Sequence, residues 1–290
     1  MSEHEQGYLA GFACLIGRPN AGKSTLTNAL VGSKVAITSS KPQTSRHTVR
    51  GIGTTERRQL TLVDTPGLHK PRTLLGQRLN DEVRHALTDV DVIAVTLPAN
   101  ESIGPGDRRV TAEAATMKKA PKVAVVTKTD LVSRDQLMVH LMAVAALAEA
   151  NGFTWDEVVP ISARTGEQVE LLTDLLIGLL PEGEAFFPAD QVTDEPVDVR
   201  VAELIREAAL EGVRDELPHS IAVVVDEMLP REDRPADRRL GPRVVLLELG
   251  RLLLGHVDGA EDEVHLRGDG LHVGGVPDGE PSHPGRDGGL

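Results

Sequence analysis

From residue 11 to about 180, short apolar runs alternate with amphipathic stretches in a regular order. "GFACLIG" precedes "KSTLTNALVG", "RQLTLVD" precedes "GQRLNDEVRHAL", and "VDVIAVTLP" precedes "GDRRVTAEAATMKK"; "PKVAVVTK" with "RDQLMVHLMAVAALAEA" and "DEVVPIS" with "EQVELLTDLLIGLL" complete the series. Apolar runs of four to eight residues separated by helical patterns predict strands buried on both faces, and hence a doubly wound, mostly parallel α/β sheet covered by helices on both sides. In such sheets ligands gather at the carboxyl ends of the strands, so the loops leaving "FACLIG", "LTLVD", "VAVV" and "VVPIS" are where chemistry is expected. The pattern divides the chain into a tail at 1–10, the α/β domain at 11–181 and a linker at 182–196, within "PEGEAFFPADQVTDEP". A smaller α+β unit follows at 197–238: "VDVRVAELIREAALEGVRDEL" has helical periodicity and stops at Pro218, and "SIAVVVDEML" reads as a strand.

Residues 239–290 break the pattern. The last fifty residues hold twelve glycines and four prolines, with no lysine and no aromatic side chain, which is the composition of a low-complexity or disordered tail. Within it "RVVLLELGRLLLGHV" alone has the means to form local structure. The abruptness of the change near Arg239 is what a shifted reading frame in GC-rich DNA would produce.

Charge and cysteine content narrow the function. With 31 basic against 44 acidic side chains the net charge is −13, so no global positive field draws the chain to nucleic acid, and any RNA contact must be a local patch. The single cysteine, Cys14, lies in an apolar run and reads as a small buried hydrophobe; a disulfide framework is excluded, which suits a reducing cytoplasm. The start "MSEHEQGY" lacks the blocks of a signal peptide, and the longest apolar stretch, "LMVHLMAVAALAEA", is interrupted by polar residues, so no membrane span is expected.

The chemistry begins at "GRPNAGKST", which fits G-x-x-x-x-G-K-[ST] between a predicted strand and helix. Gly17, Asn20, Ala21, Gly22, Lys23, Ser24 and Thr25 form the candidate phosphate site. The glycines let backbone N–H groups face phosphate, the helix adds its positive end, Lys23 reaches the β and γ phosphates, and Ser24 ligates Mg²⁺. In "LTLVDTPG" Asp64 ends a strand and is suited to hold magnesium through water. Thr65, Pro66, Gly67 and Leu68 follow, and Gly67 has the freedom to offer its N–H to a γ-phosphate and to move when that phosphate leaves.

"TKTD" leaves the next strand but one. Asp130 accepts from guanine N1–H and N2–H₂, donors adenine lacks, and the stem of Lys128 covers the ring; Thr129 lies between them. Thr127 stands where the familiar Asn-Lys-x-Asp pattern has asparagine, which predicts a tie to the phosphate loop weaker by up to about 1 kcal/mol. "ISARTG" places Ser162 and Ala163 where a backbone loop receives guanine O6.

These motifs, in this order at strand ends, resemble the translation-factor class of P-loop GTPases. "KPQTSRHTVRGI", "DTPGLHKP", the linker and "RDELPHSIAVVVDEM" narrow the resemblance to the Era family of bacterial GTPases, across residues 7 to about 238. The resemblance implies GTP binding and slow hydrolysis to GDP with Mg²⁺, coupled to maturation of 16S rRNA and assembly of the 30S subunit through a KH domain. It also implies a monomer in the cytoplasm with peripheral contact at the inner face of the membrane. It assigns "QTSRH" to a segment closing over the γ-phosphate, with Thr44 catalytic and Ser45 a further magnesium ligand, beside Lys23, Asp64 and Gly67. Asn20 resembles the asparagine that, in a related set of GTPases, helps hold K⁺ beside the phosphates. Leu68 occupies the place where Ras-like GTPases carry a water-orienting glutamine, so slow intrinsic turnover is expected. The GxxG clamp of a KH domain is missing where the family has it; "GRDG" at 285–288 is too near the terminus for a following helix, which predicts weak RNA binding. Two other readings stay open at this point, an adaptor that holds GTP without hydrolysing it and a GTPase coupled to tRNA modification.

Overall fold

The computed structural model describes residues 7–38, 47–68, 74–212, 221–230, 240–248, 251–258 and 265–267. Strands β1 (Leu9–Gly17), β2 (Val49–Thr55), β3 (Arg58–Asp64), β4 (Val92–Pro98), β5 (Lys122–Thr127) and β6 (Glu157–Pro160) form one sheet in the order β2-β3-β1-β4-β5-β6. All neighbours are parallel except β2, which runs antiparallel to β3 at the edge. The expected sheet is therefore present, with one strand added. "VRGIGTT" gives little strand signal because two glycines interrupt it, yet Gly51 has to be small: a Cβ there would lie 2.7 Å from Val31 Cγ2.

The continuous apolar runs have a simple cause. Along β1, Cys14 and Ile16 face one side and Ala13 and Leu15 the other, all fully buried. The first pair packs with Val83, Val110 and Val144 from helices α2 (Leu74–Ala86), α3 (Pro105–Thr116) and α4 (Arg134–Glu149). The second pair packs with Leu26, Leu172 and Leu176 from α1 (Lys23–Val31) and α5 (Val169–Gly178). At roughly 1.5–3 kcal/mol for each fully buried large apolar side chain, these two layers hold the domain and fix the strand ends that carry the motifs. Burial also pushes the Cys14 thiol's pKa upwards, as befits a packing residue.

Segment 182–196, read from the sequence as a linker, runs as a strap fastened along the sheet edge. The amide of Gln59 accepts from Phe186 N and Phe187 N and donates to Phe187 O, and Ile52 N donates to Val192 O at 2.8 Å. Thr193 bridges Gly51, so the exposed ladder of β2 is covered. Beyond it, α6 (Val197–Gly212) packs on β7 (Ile221–Pro230) through Ala209, Leu210 and Val223. The apolar face of α6 is covered at Ile205, Ala209 and Leu210, which are 0–2% exposed. Strands β8 (Leu240–Glu248), β9 (Arg251–Asp258) and β10 (His265–Arg267) continue from β7 as an antiparallel meander, and β8 and β9 include most of "RVVLLELGRLLLGHV". The "GRDG" segment lies outside the described residues. Among the described residues, no helix is long and apolar enough to cross a membrane.

Candidate nucleotide site

The phosphate loop is built by close packing. A Cβ on Gly17 would lie 2.0 Å from Thr96 Oγ1, which itself donates to Ile16 O, so only glycine passes between β1 and β4 there. Asn20 and Gly22 both adopt left-handed backbone, with φ of 61° and 91°, which turns the chain into α1. No side chain caps α1 and no acidic residue sits in its first turn, so its amino end offers an anion site of the kind the sequence predicts. Ala21 is buried in the loop and Thr25 lies in the first turn. Lys23 is 6% exposed, and its Nζ lies over the carbonyls of Gly17 and Arg18 at 3.4 and 3.3 Å. Burial lowers its pKa, while Asp64 pulls the other way.

Asp64 ends β3 directly opposite. It is 1% exposed, and both carboxylate oxygens are buried short of the hydrogen bonds that would offset their desolvation. Burial raises its pKa; Lys23, then the Ser24 hydroxyl, oppose that rise. An anionic oxygen donor so placed beside a hydroxyl fits a hard divalent cation. Thr65 donates to Leu15 O at 2.7 Å and fixes the start of the loop. Gly67 follows Pro66 and lies against the phosphate loop, where a Cβ would meet Pro19 N at 2.7 Å. Leu68 N donates to Gly17 O, and the Leu68 side chain is 2% exposed inside the core. A leucine at this place carries no hydrogen-bonding group with which to orient a water. Thr44 and Ser45 lie outside the described residues.

The base-reading loop shows one departure from expectation. The Thr127 hydroxyl donates to Ala21 O at 2.7 Å with both residues buried, so the tie to the phosphate loop is made. Threonine is shorter than asparagine, but β5 brings it close enough. Lys128 takes left-handed backbone, φ 60°, and opens a short 3₁₀ turn over Thr129–Leu131. That turn is fastened to the next strand end: Thr129 N donates to Ile161 O, and Ser162 Oγ donates to Asp130 Oδ1 at 2.8 Å. Ser162 Oγ also accepts from Thr165 N, and Ala163 packs at the edge of the α1/α5 layer. Ser162 thus orients Asp130, a role beyond the backbone contact read from "ISARTG".

Three groups of contacts carry no sequence signal. Arg18 pairs with Glu101 at 2.8 Å and Asp107 at 3.0 Å, linking the phosphate loop to the amino end of α3. Thr38 N and Oγ1 both donate to Glu207 of α6. His47 bonds Glu195 of the strap, whose carboxylate raises the imidazole pKa. The last two grip both ends of 39–46. Their partners lie 148 to 169 residues away, a separation no local pattern reveals.

Known proteins share this arrangement. The family described as 50S ribosome-binding GTPase matches residues 12–128. The GTPase Era of Streptomyces coelicolor is 66% identical over 236 residues, covering 81% of this chain and 74% of the relative, and that of a Nocardioides species is 61% identical over 231 residues, 80% of this chain and 74% of the relative. Two solved structures, Aquifex aeolicus Era bound to GDP and aluminium fluoride, and Era with MgGDPNP and nucleotides 1506–1542 of 16S rRNA, both align at TM-score 0.72 and 32% identity. They cover 78% and 79% of this chain and 75% and 76% of theirs. The nucleotide loops, their order and this kinship together place the chain in the Era family of GTPases.

Proposed function

We propose that the chain is a slow GTP-driven switch acting on the RNA of the small ribosomal subunit. The observation that carries the nucleotide half is the joining of three loops, Thr127 to Ala21 and Ser162 to Asp130, into one cradle. Asp130 reads guanine, with the stem of Lys128 over the ring. The amino end of α1 and Lys23 hold the phosphates. Ser24 and Asp64 would hold Mg²⁺, with Ser45 expected to complete the set, and the ion would supply charge neutralisation at the phosphate oxygens. Charge stabilisation by these groups lowers the barrier, while Leu68 supplies nothing to align water, so turnover is slow. Asn20, in left-handed backbone inside the loop, would add K⁺ to the same cluster. Equal turnover in Na⁺ and K⁺, or in Asn20→Ala, removes that ion from the account.

The target is inferred from kinship, since an Era has been seen holding a 16S rRNA segment. About a fifth of this chain lies outside the match to its relatives, so the grip on RNA is expected to be weaker than theirs. Single-turnover γ-phosphate release, with and without small-subunit particles, tests the switch: acceleration by the particles supports it, and indifference to them overturns it. Readings as a passive GTP holder or a tRNA-modifying GTPase gain no support from these relatives.

A further inference from the structure

The groove between the β4–α3 loop and α4 adjoins the nucleotide loops, through Ala99 N to Thr127 O and Val132 N to Thr129 O, without including their motif residues. It encloses about 480 Å³ over a floor of Ala99, Ile103 and Ala143. Beside it, α4 carries apolar residues on the side that should be polar. Met138, Val139 and Met142 are 62%, 68% and 68% exposed, while Val144 and Leu147 fill the opposite, buried side. Met138 and Met142, four apart, stack on one helical face and present adaptable side chains of the kind found at docking surfaces. In the groove wall His140 is 7% exposed, and its Nε2 is buried with no hydrogen-bond partner. Burial lowers its pKa. The charged side chains lining the groove, Glu101 and Asp135, are both acidic and both exposed.

We propose that this groove docks a cationic amphipathic helix of a partner protein, its apolar side over Met138, Val139 and Met142 and an arginine or lysine at Glu101 and Asp135. The charge of the rim selects the sign of the partner. Glu101 already shares Arg18 with Asp107, and the Arg18 carbonyl holds Lys23 Nζ. A cation that draws Glu101 away acts one ion pair from the phosphate loop.

The test uses the full chain and a synthetic Leu/Arg amphipathic helix of about 18 residues, five turns, against a Leu/Glu helix of the same pattern. The Arg helix should bind and protect the backbone of 99–103 and 134–143 from hydrogen exchange; the Glu helix should not. Met138→Glu with Met142→Glu should weaken the Arg helix about tenfold or more while leaving GTP binding unchanged. Those changes add negative charge, so unspecific attraction to an acidic chain would strengthen binding instead. Unchanged or tighter binding in the double variant overturns the proposal. So do equal binding of the two helices, self-association of the chain through these methionines, and binding to anionic phospholipid vesicles that displaces the Arg helix.

Discussion

Gly17 and Thr127 show how little room the cradle leaves. In Gly17→Ala the new carbon would sit 2.0 Å from Thr96 Oγ1, so β1 and β4 must part or the loop must shift. Overpacking of this kind costs roughly 1–3 kcal/mol, and nucleotide binding should be lost along with it. Urea unfolding together with GDP titration checks both. Thr127→Val keeps the shape but strands Ala21 O, which should lower stability by about 1 kcal/mol and loosen both nucleotides alike, without changing the preference for guanine. A loss of guanine preference in that variant would assign base reading to the wrong side chain. The residue types of the site were legible because each has a chemical task at a fixed spacing. Reach was not legible: that a hydroxyl on β5 meets Ala21 depends on how close two strand ends lie.

At the level of elements, α6 and the 182–196 strap hold Thr38 and His47, the residues on either side of 39–46, and His47 closes the "QTSRH" segment expected to cover the γ-phosphate. His47 is the titrating member. Hydrogen bonding to Glu195 raises its pKa above the ordinary 6.5 against the effect of burial, with Glu203 adding to the rise and Arg206 opposing it. A folded value above the unfolded one means that the pair's stabilisation is complete below the unfolded value and is lost as pH rises through the folded one. Stability should therefore fall as pH climbs from about 6.5. In Glu195→Gln that slope should flatten, as read from unfolding midpoints across the range; an unchanged slope would clear the pair of this role. The edge strand β2 escaped sequence reading because Gly51 and Gly53 hide its pattern, while its partners in the strap come from the far side of the domain.

For the whole molecule, the doubly wound sheet followed from periodicity alone, since runs such as "CLIG" must be buried on both faces. The join to α6 did not, because Thr38 and Glu207 stand 169 residues apart, beyond the reach of any local pattern. The change in composition after Arg239 was plain, yet pairing of β7 with β8 and β9 depends on long-range register that composition does not encode. What unifies the molecule is the claim that it is switched by guanine nucleotide and by no other base. The most direct measurement compares hydrolysis of GTP, xanthosine triphosphate and ATP by the unaltered chain and by Asp130→Asn. The account predicts that the unaltered chain uses GTP alone and that the variant, now offering a donor where it accepted, prefers the xanthine nucleotide by about tenfold or more, a single hydrogen bond's worth of discrimination. Equal use of ATP by the unaltered chain, or retained guanine preference in the variant, would contradict it.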